Sequence, residues 1–505
     1  MDPKYVREHV QELIESETKR NGNPSLVQSM IDLYQEVVVL DFVISQLKRA
    51  RNLSGPLMKG KVKELSEYTQ YSEDFWTDFI SNLREKETVE KGIKSMETLE
   101  RPGLIQLLKS IKQELNQKET EIKEKKEEIE NISAGIGNLV PSHIHSFIPR
   151  TSFMPTEENP YILSENSPLL GPGKQEPNVR FKTEWVLNSD HSERVLYESE
   201  TPYHLHELKK SEKAILGHHQ LTKDLGIVLY DQPTKISGYR GYAFADQGVL
   251  LNRALISYAL DFARKRGYSL IETPHFMTQP ALSGVTQLSD FEESLYQVGE
   301  HDTDPRNKDS NKYLIATSEQ PLTAFYKDQV VRSKQLPIRH AGLSHCYRKE
   351  AGKHGQDTMG IFRVHQFEKV EQFSIVNPED GWKEMDRMIK IAAEFYDTLG
   401  IKYRIIHVTS NDINQAAAMK YDLEGYFPSS NKYRELVSCT NCTDYMARRI
   451  HCRTDQQKLP HFLNGTLCAN TRVICCLLET YQDPETGNFN VPDVLVPYMN
   501  GITRI

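Results

Sequence analysis

Residues 343–373 read LSHCYRKEAGKHGQDTMGIFRVHQFEKVEQF, and this stretch decides the fold. Its first part reads as a strand carrying Arg348 and Glu350. A polar loop with Gly352, Gly355 and Gly360 follows, and a second strand over 361–373 carries His365, Phe367, Glu368 and Glu371. Two strands joined by a long loop, with a guanidinium and carboxylates at their ends, form a floor for a phosphorylated ligand. Arginine suits that place because its planar fork donates paired hydrogen bonds to phosphate or carboxylate oxygens. An ordinary hairpin with a surface Arg348–Glu350 ion pair is the alternative that these residues alone leave open.

The rest of the chain bounds what the floor belongs to. With 505 residues the chain is expected to form two or more domains around a large core. Its 38% hydrophobic and 26% charged residues are those of a globular protein, and no apolar run is long enough to cross a bilayer, so no membrane partner is expected. The opening residues MDPKYVREHVQELIESE lack an apolar leader, and their acidic side chains argue against a transit peptide. All seven cysteines fall between Cys346 and Cys476, which is no disulfide framework and points to a reducing, cytoplasmic compartment. A net charge of −8 offers no global attraction to nucleic acid, so such a partner has to be met by a local patch.

Two N-terminal segments carry heptads. Leu26, Met30, Leu33, Val37, Leu40, Ile44 and Leu47 step by four and three, as do Leu104, Leu108, Ile111, Leu115, Lys118, Ile122, Lys125, Ile129, Ile132 and Ile136. Two such seams in one chain most simply face each other as an antiparallel hairpin, with a parallel dimer as the alternative. Between them, KRARNLSGPLMKGKVK (48–63) holds six basic residues and no acid: Lys48, Arg49, Arg51, Lys59, Lys61 and Lys63. It reads equally as a solvated loop or as a contact for a phosphate backbone. Residues 141–177, rich in Pro, Ser, Asn and Gly, read as a linker. Beyond them the pattern becomes α+β, with helices over 250–266, 382–399 and 468–481. Strands are expected over 312–317, 343–348, 361–373 and 403–408, and in YSLIETPHF, where Pro274 is confined to an edge or interface.

Further groups carry chemistry. Thr317, Ser318 and Glu319 lie between a strand and a helical run, where they can meet a ligand or simply cap the helix. Glu319 and Glu371 suit an ammonium or hydroxyl donor. Glu435 and Ser438 offer hard oxygens for Mg²⁺ shared with phosphates, or mark a strand edge. Asn464-Gly465-Thr466 reads as a loop entering an apolar helix, in which Arg472 stands without an obvious local partner. Cys439 and Cys442 form a lone CxxC. Zinc is not expected there, since His451 and Cys452 do not complete a ligand pattern.

TSEQP (317–321), RKE (348–350) with GIFRVHQFEKVEQF (360–373), ELVSCTNCTDYMARR (435–449) and NGTLCANTR (464–472), in this order after a helical hairpin, resemble the seryl-tRNA synthetases of class II, in their eukaryotic cytosolic form. The resemblance runs essentially end to end. It implies a class II catalytic domain on a mixed, mainly antiparallel β-sheet flanked by helices, preceded by an antiparallel coiled-coil arm. The corresponding boundaries are 1–137 for a tRNA-binding arm, 138–215 for a linker and entry segment, and 216–505 for the catalytic domain.

By the same resemblance Arg348 and Arg472 are catalytic, Arg348 bridging the serine carboxylate and the α-phosphate of ATP and Arg472 meeting the γ-phosphate. Thr317, Ser318, Glu319, Arg348, Glu371, Asn464 and Thr466 form the serine pocket. ATP is expected at Arg348, Lys349, Glu350, Val364, His365, Gln366, Phe367, Glu435, Leu436, Val437, Ser438 and Arg472, with Phe367 stacked on adenine and Mg²⁺ on Glu435 and Ser438. The basic run 48–63 becomes a contact for the long arm of tRNA(Ser), with tRNA(Sec) as a second candidate, and a homodimer is implied. Gln356 and Met359 stand where family members commonly carry arginines. Related enzymes for threonine or proline, and an inactive RNA-binding paralogue, are the competing readings. The retained Arg348, Glu371, Glu435 and Arg472 weigh against the last.

Overall fold

A computed structural model describes residues 3–20, 22–60, 101–140, 181–187, 193–286, 294–298, 311–350 and 359–505. The chain divides into two compact units, one of residues 1–17 and 23–136 and the other of 18–22 and 137–505.

In the first unit the heptads form two long helices, α1 (Ser25–Gly60) and α2 (Arg101–Gly135). They run antiparallel, as the pairs Lys48–Glu119 (2.8 Å), Asp41–Lys126 (3.8 Å) and Glu36–Lys125 require. Met30, Val37, Leu40, Ile44 and Leu47 are buried between them with Leu104, Ile111, Leu115, Ile122 and Ile129. The polar seam position Lys118 is neutralised by Glu121 at 2.6 Å. Helix α1 continues to Gly60, so residues 48–60 are helical and not the loop that their charge run predicts. Lys61 and Lys63 lie outside the described residues, as does the side chain of Lys59.

The second unit is built on nine strands: β1 (Phe181–Leu187), β2 (Glu193–Glu198), β3 (Ser269–Glu272), β4 (Ile338–Tyr347), β5 (Gln366–Val376), β6 (Tyr403–Val408), β7 (Met419–Phe427), β8 (Lys432–Asn441) and β9 (His461–Ala469). Their order across the sheet is β1-β2-β6-β7-β8-β9-β5-β4-β3. Neighbours are antiparallel except β4 and the edge strand β3, which are parallel. The first two strands come from the 138–215 stretch read as linker and entry, while 141–180 lie outside the described residues.

Helices α3 (Gln247–Lys265), α5 (Gly381–Thr398) and α6 (Asn470–Tyr481) bury apolar faces in a shared core, and the short α4 (Glu319–Ala324) leads off the TSEQP segment. Alternation along β5 sorts its side chains between two faces. Glu368 accepts from Asn252 and Arg253 of α3, and Gln372 donates to the Met388 carbonyl of α5 at 3.2 Å. Phe367, Lys369 and Glu371 therefore project from the opposite face.

Three expectations change. The strand expected through Arg348 ends at Tyr347, and the one expected from residue 361 begins at Gln366. Asn464, Gly465 and Thr466 belong to β9 and not to a loop. Glu435 to Ser438 lie in β8 and pair with β7, while the β9 ladder takes up only Cys439 to Asn441, so their other side is open as at a strand edge; the interior place of β8 in the sheet is fixed beyond them.

Candidate active site

On the face opposite the helices, the pairs Gly342↔Glu371, Ser344↔Lys369 and Cys346↔Phe367 line up across β4 and β5. Thr466 of β9 sits across from Glu371 and donates to its carboxylate at 3.3 Å. Lys369 Nζ lies 2.5 Å from the same carboxylate. Lys369 was not foreseen from sequence, although its alternation with Phe367 and Glu371 carries the signal.

Glu319 reaches this group from α4. The Ser318 hydroxyl donates to the Gly342 carbonyl at 3.1 Å, and a Cβ on Gly342 would stand only 2.5 Å from that hydroxyl. Only glycine lets the start of α4 sit this close to β4. Thr317 Oγ1 accepts the Glu319 amide at 3.3 Å. Burial and the negative charge of Glu371 push the Glu319 carboxyl up to about 7, against Lys369, a hydrogen bond from Asn464 and the charge of Arg348. Glu319, Lys369, Glu371, Asn464 and Thr466 thus form one polar cluster at the crossing of α4, β5 and β9.

Arg348 follows the last residue of β4. Its amide donates to the His365 carbonyl at 2.9 Å, His365 Nδ1 donates to the Arg348 carbonyl at 3.0 Å, and its guanidinium lies 5.3 Å from the centre of the Phe367 ring. Its charge acts on Glu319 on one side and on Glu350 and Glu435 on the other. Glu350 adopts φ +51° and is ion-paired with Arg363 at 2.6 Å, a partner that sequence reasoning missed. Burial works to raise its carboxyl, but Arg363, with Arg348 and Arg472 behind it, holds it below the usual range. Lys349 is tied through its amide to the Ser294 carbonyl at 3.0 Å.

Arg472 has a local partner after all. Its guanidinium donates to the Glu435 carbonyl at 3.1 Å, lies 3.4 Å from the Glu435 carboxylate, and stacks over Phe362. Partial desolvation opposes ionisation of Glu435, whose side chain is 45% exposed, yet Arg472, Lys420 and Arg348 bring it down to about 2.

A register shift between Leu423 and Glu424 sets Glu424 opposite Glu435 and Asp422 opposite Ser438. Glu435 and Ser438 are three apart and would point to opposite faces of a regular strand. The bulge absorbs one residue and brings both to one side, while Leu436 and Val437 are buried in succession. Leu436, Val437 and Val364 are core residues, so a ligand reaches them only through the backbone. Gln366 lines a cleft of about 460 Å³ with Arg240, Tyr242, Arg253 and Glu368, away from Lys369 and Glu371.

Asp422, also missed, is pushed up to about 7 by burial and by Glu435, against Lys420 and a hydrogen bond from Ser438. A second missed group ties His218 to Glu479 of α6 at 2.7 Å. The other oxygen of Glu479 accepts the Ser429 amide, and His218 Nε2 stands 3.4 Å from the Met359 carbonyl. Gln356 lies outside the described residues, and Met359 is exposed. Cys439 and Cys442 are buried thiols, held well above their ordinary range by desolvation. Among the described residues no three His, Cys, Asp or Glu side chains form a metal cluster, and no helix is long and apolar enough to cross a membrane.

The mixed, mainly antiparallel sheet thus carries three helices on one face and a strip of carboxylates and guanidiniums on the other. The family model for the tRNA synthetase class II core domain (G, H, P, S and T) matches residues 296–481. The cytoplasmic serine–tRNA ligase of Schizosaccharomyces pombe is 35% identical over 97% of this chain and 92% of its own length. The chain belongs to the serine–tRNA ligase family.

The cytoplasmic enzyme of Dictyostelium discoideum is 46% identical over 57% of this chain, a match that spans 64% of that relative's length. The crystal structure of cytoplasmic serine–tRNA ligase from Naegleria fowleri in complex with AMP superposes with a TM-score of 0.75 at 35% identity, covering 100% of this chain and 98% of that one. Seryl-tRNA synthetase from Pyrococcus horikoshii, complexed with ATP, gives 0.73 at 26% identity, covering 100% and 99%.

Proposed function

We propose that this chain charges tRNA with serine. The serine carboxylate attacks the α-phosphate of ATP, pyrophosphate leaves, and the 3′-terminal adenosine of tRNA(Ser) takes the seryl group from the adenylate, with tRNA(Sec) as a second acceptor. The observation that carries this reading is Arg348, within electrostatic reach of both the Glu319 pocket and the group of Glu350 and Glu435. One guanidinium between two sites suits a reaction that joins a carboxylate to a phosphate, because its donors serve both anions. The AMP and ATP complexes of the two structural relatives support ATP as a substrate.

Glu319 and Glu371 supply negative charge for the serine ammonium, and Asn464 and Thr466 close the pocket from β9. Thr317 and Ser318 shape its wall, the Ser318 hydroxyl being committed to Gly342. A site that hydrogen-bonds the serine hydroxyl rejects alanine on the order of 10⁴-fold, since polar groups are left unpaired. Threonine differs by one methyl, worth about 1–3 kcal/mol, and has to be excluded by the shape of the pocket. Phe367 offers its ring to adenine, Val364, His365 and Gln366 line the base through their backbone, and Arg472 meets the γ-phosphate, exchanging Glu435 for the ligand. Lys349, Glu350, Leu436 and Val437 complete the nucleotide wall. No side chain acts as a covalent nucleophile; positioning and offset of phosphate charge account for the rate.

Magnesium fits the oxygens at Glu435 and Ser438. They are hard donors on one side of a bulged strand, and Asp422 Oδ1 beside them is a buried acceptor without a hydrogen-bond partner among the described residues. Mg²⁺ is ordinarily held by one or two carboxylates together with substrate phosphates, and not by an all-protein cage. When bound, it supplies charge neutralisation to the phosphates.

The paired, ion-bridged seam of α1 and α2 supports a coiled-coil arm over 1–137, with 138–215 as linker and entry and 216–505 as the catalytic domain. Arg49 and Arg51 are exposed on α1, and Lys48 would exchange Glu119 for a phosphate of the tRNA arm; Lys59, Lys61 and Lys63 of the same basic run supply further phosphate contacts in this reading. A homodimer is supported by the edge of β3, unpaired among the described residues, and by the exposed Leu270 and Phe276. Free cysteines and the names of the relatives favour the cytoplasm.

Purified protein should exchange pyrophosphate into ATP only with serine, and Arg348→Ala should lose exchange on the order of 10²–10³-fold. Exchange with threonine or proline instead, or none with any amino acid, would end this reading.

A further inference from the structure

Asp422 lies directly across from Ser438 in the β7–β8 ladder, and the Ser438 hydroxyl is hydrogen-bonded to its carboxylate. The residue is 8% exposed. Among the described residues its Oδ1 has no hydrogen-bond partner, and it is ion-paired with Lys420 Nζ at 3.6 Å. The bulge that turns Glu435 to the side of Ser438 also keeps Asp422 in register with Ser438. Three oxygen-bearing side chains therefore meet where β7 and β8 cross the nucleotide site.

A serine hydroxyl can ligate a cation only if a lone pair faces the ion and its proton points elsewhere. A carboxylate placed across the ladder accepts that proton and fixes the rotor, and its charge makes the hydroxyl oxygen a better donor. Such supporting groups commonly set metal affinity by 10–100-fold (order of magnitude). We infer that Asp422 is the positioning residue of the Mg·ATP site: it holds the Ser438 oxygen toward the cation, and its Oδ1, ion-paired with Lys420, adds its charge to the field there. This rests on the assignment of Glu435 and Ser438 to Mg²⁺.

The test uses the full chain and two ligands. One is α,β-methylene-ATP titrated calorimetrically at a series of Mg²⁺ concentrations. The other is seryl-sulfamoyl-adenosine, which carries no pyrophosphate and has no use for the cation. D422N should raise the Mg²⁺ concentration for half-maximal nucleotide binding by about 10–100-fold and leave the sulfamoyl ligand within about twofold. A second variant, Asp422→Ser, is smaller and neutral and should shift the Mg²⁺ dependence in the same direction, so the outcome does not hang on the folding of one protein. Equal weakening of both ligands would make Asp422 a packing residue and overturn the inference. An unchanged Mg²⁺ dependence in both variants, with E435Q still raising it, would overturn the inference and leave the metal assignment standing. No change in E435Q either would remove the metal assignment itself.

Discussion

Glu319 shows how much of the site is decided at one carboxyl. Held up to about 7 by burial and by Glu371, it is only partly ionised near neutrality. Serine brings an ammonium that needs the ionised form. The kcat/KM for serine should therefore fall as pH drops below 7, by about tenfold per unit for a single proton, and Glu319→Gln should remove this limb of the profile at a cost of about 1.5–3 kcal/mol in binding. A profile that is unchanged in the variant would place the proton elsewhere. The raised value also means that the folded state holds this proton more tightly than the unfolded chain. Its cost to stability is accordingly present above pH 7 and vanishes below the ordinary value of 4.5. Glu319 and Glu371 were named from the sequence, whereas Lys369 between them was not. The pairings of the wider site were not legible either, because Arg363 with Glu350, Glu435 with Arg472 and Asp422 with Ser438 meet only across strands or between a strand and a helix.

At the scale of elements, α4 depends on the absence of a side chain at Gly342. An alanine there would force its Cβ to 2.5 Å from Ser318 Oγ and 2.9 Å from Ser318 Cβ, so the start of α4 has to move. Gly342→Ala should lower stability by about 1–3 kcal/mol and raise the serine KM more than the ATP KM, as read by melting and by pyrophosphate exchange. Equal changes in the two KM values would separate α4 from serine binding. Asn464-Gly465 was misread as a loop because that dipeptide is a strong turn signal. Pairing of β9 with both β5 and β8 overrides it, and Gly465 is used instead to pack against Cys439 and Met388. The β8 bulge was invisible for a related reason. A register shift depends on two strands at once, and the sequence of one strand shows only the alternation that the bulge interrupts.

For the whole molecule, the division of work proposed between the helical pair α1–α2 and the catalytic unit can be measured. Neutralising Lys59, Lys61 and Lys63 together should weaken tRNA charging and flatten its salt dependence by about 0.7–0.9 in log–log slope for each phosphate that is no longer neutralised. Serine-dependent pyrophosphate exchange should be untouched. Unaltered tRNA affinity in the triple variant would take the arm out of recognition.

Heptads and ordered motifs in the sequence were sufficient to point to two paired N-terminal helices and an α+β unit, and to single out arginines and glutamates suited to anions and ammonium groups. These are local properties: a seam repeats along one helix, and a guanidinium binds anions wherever it stands. Only the tertiary structure decided which face of the sheet carries Glu319, Lys369 and Glu371, that Glu435 and Ser438 share a side of β8 with Asp422, and that Arg472 is paired with Glu435. Those facts depend on register, on a bulge and on the packing of α4 against Gly342. Each is a relation between segments distant in the chain, settled by how they exclude water and satisfy one another's hydrogen bonds.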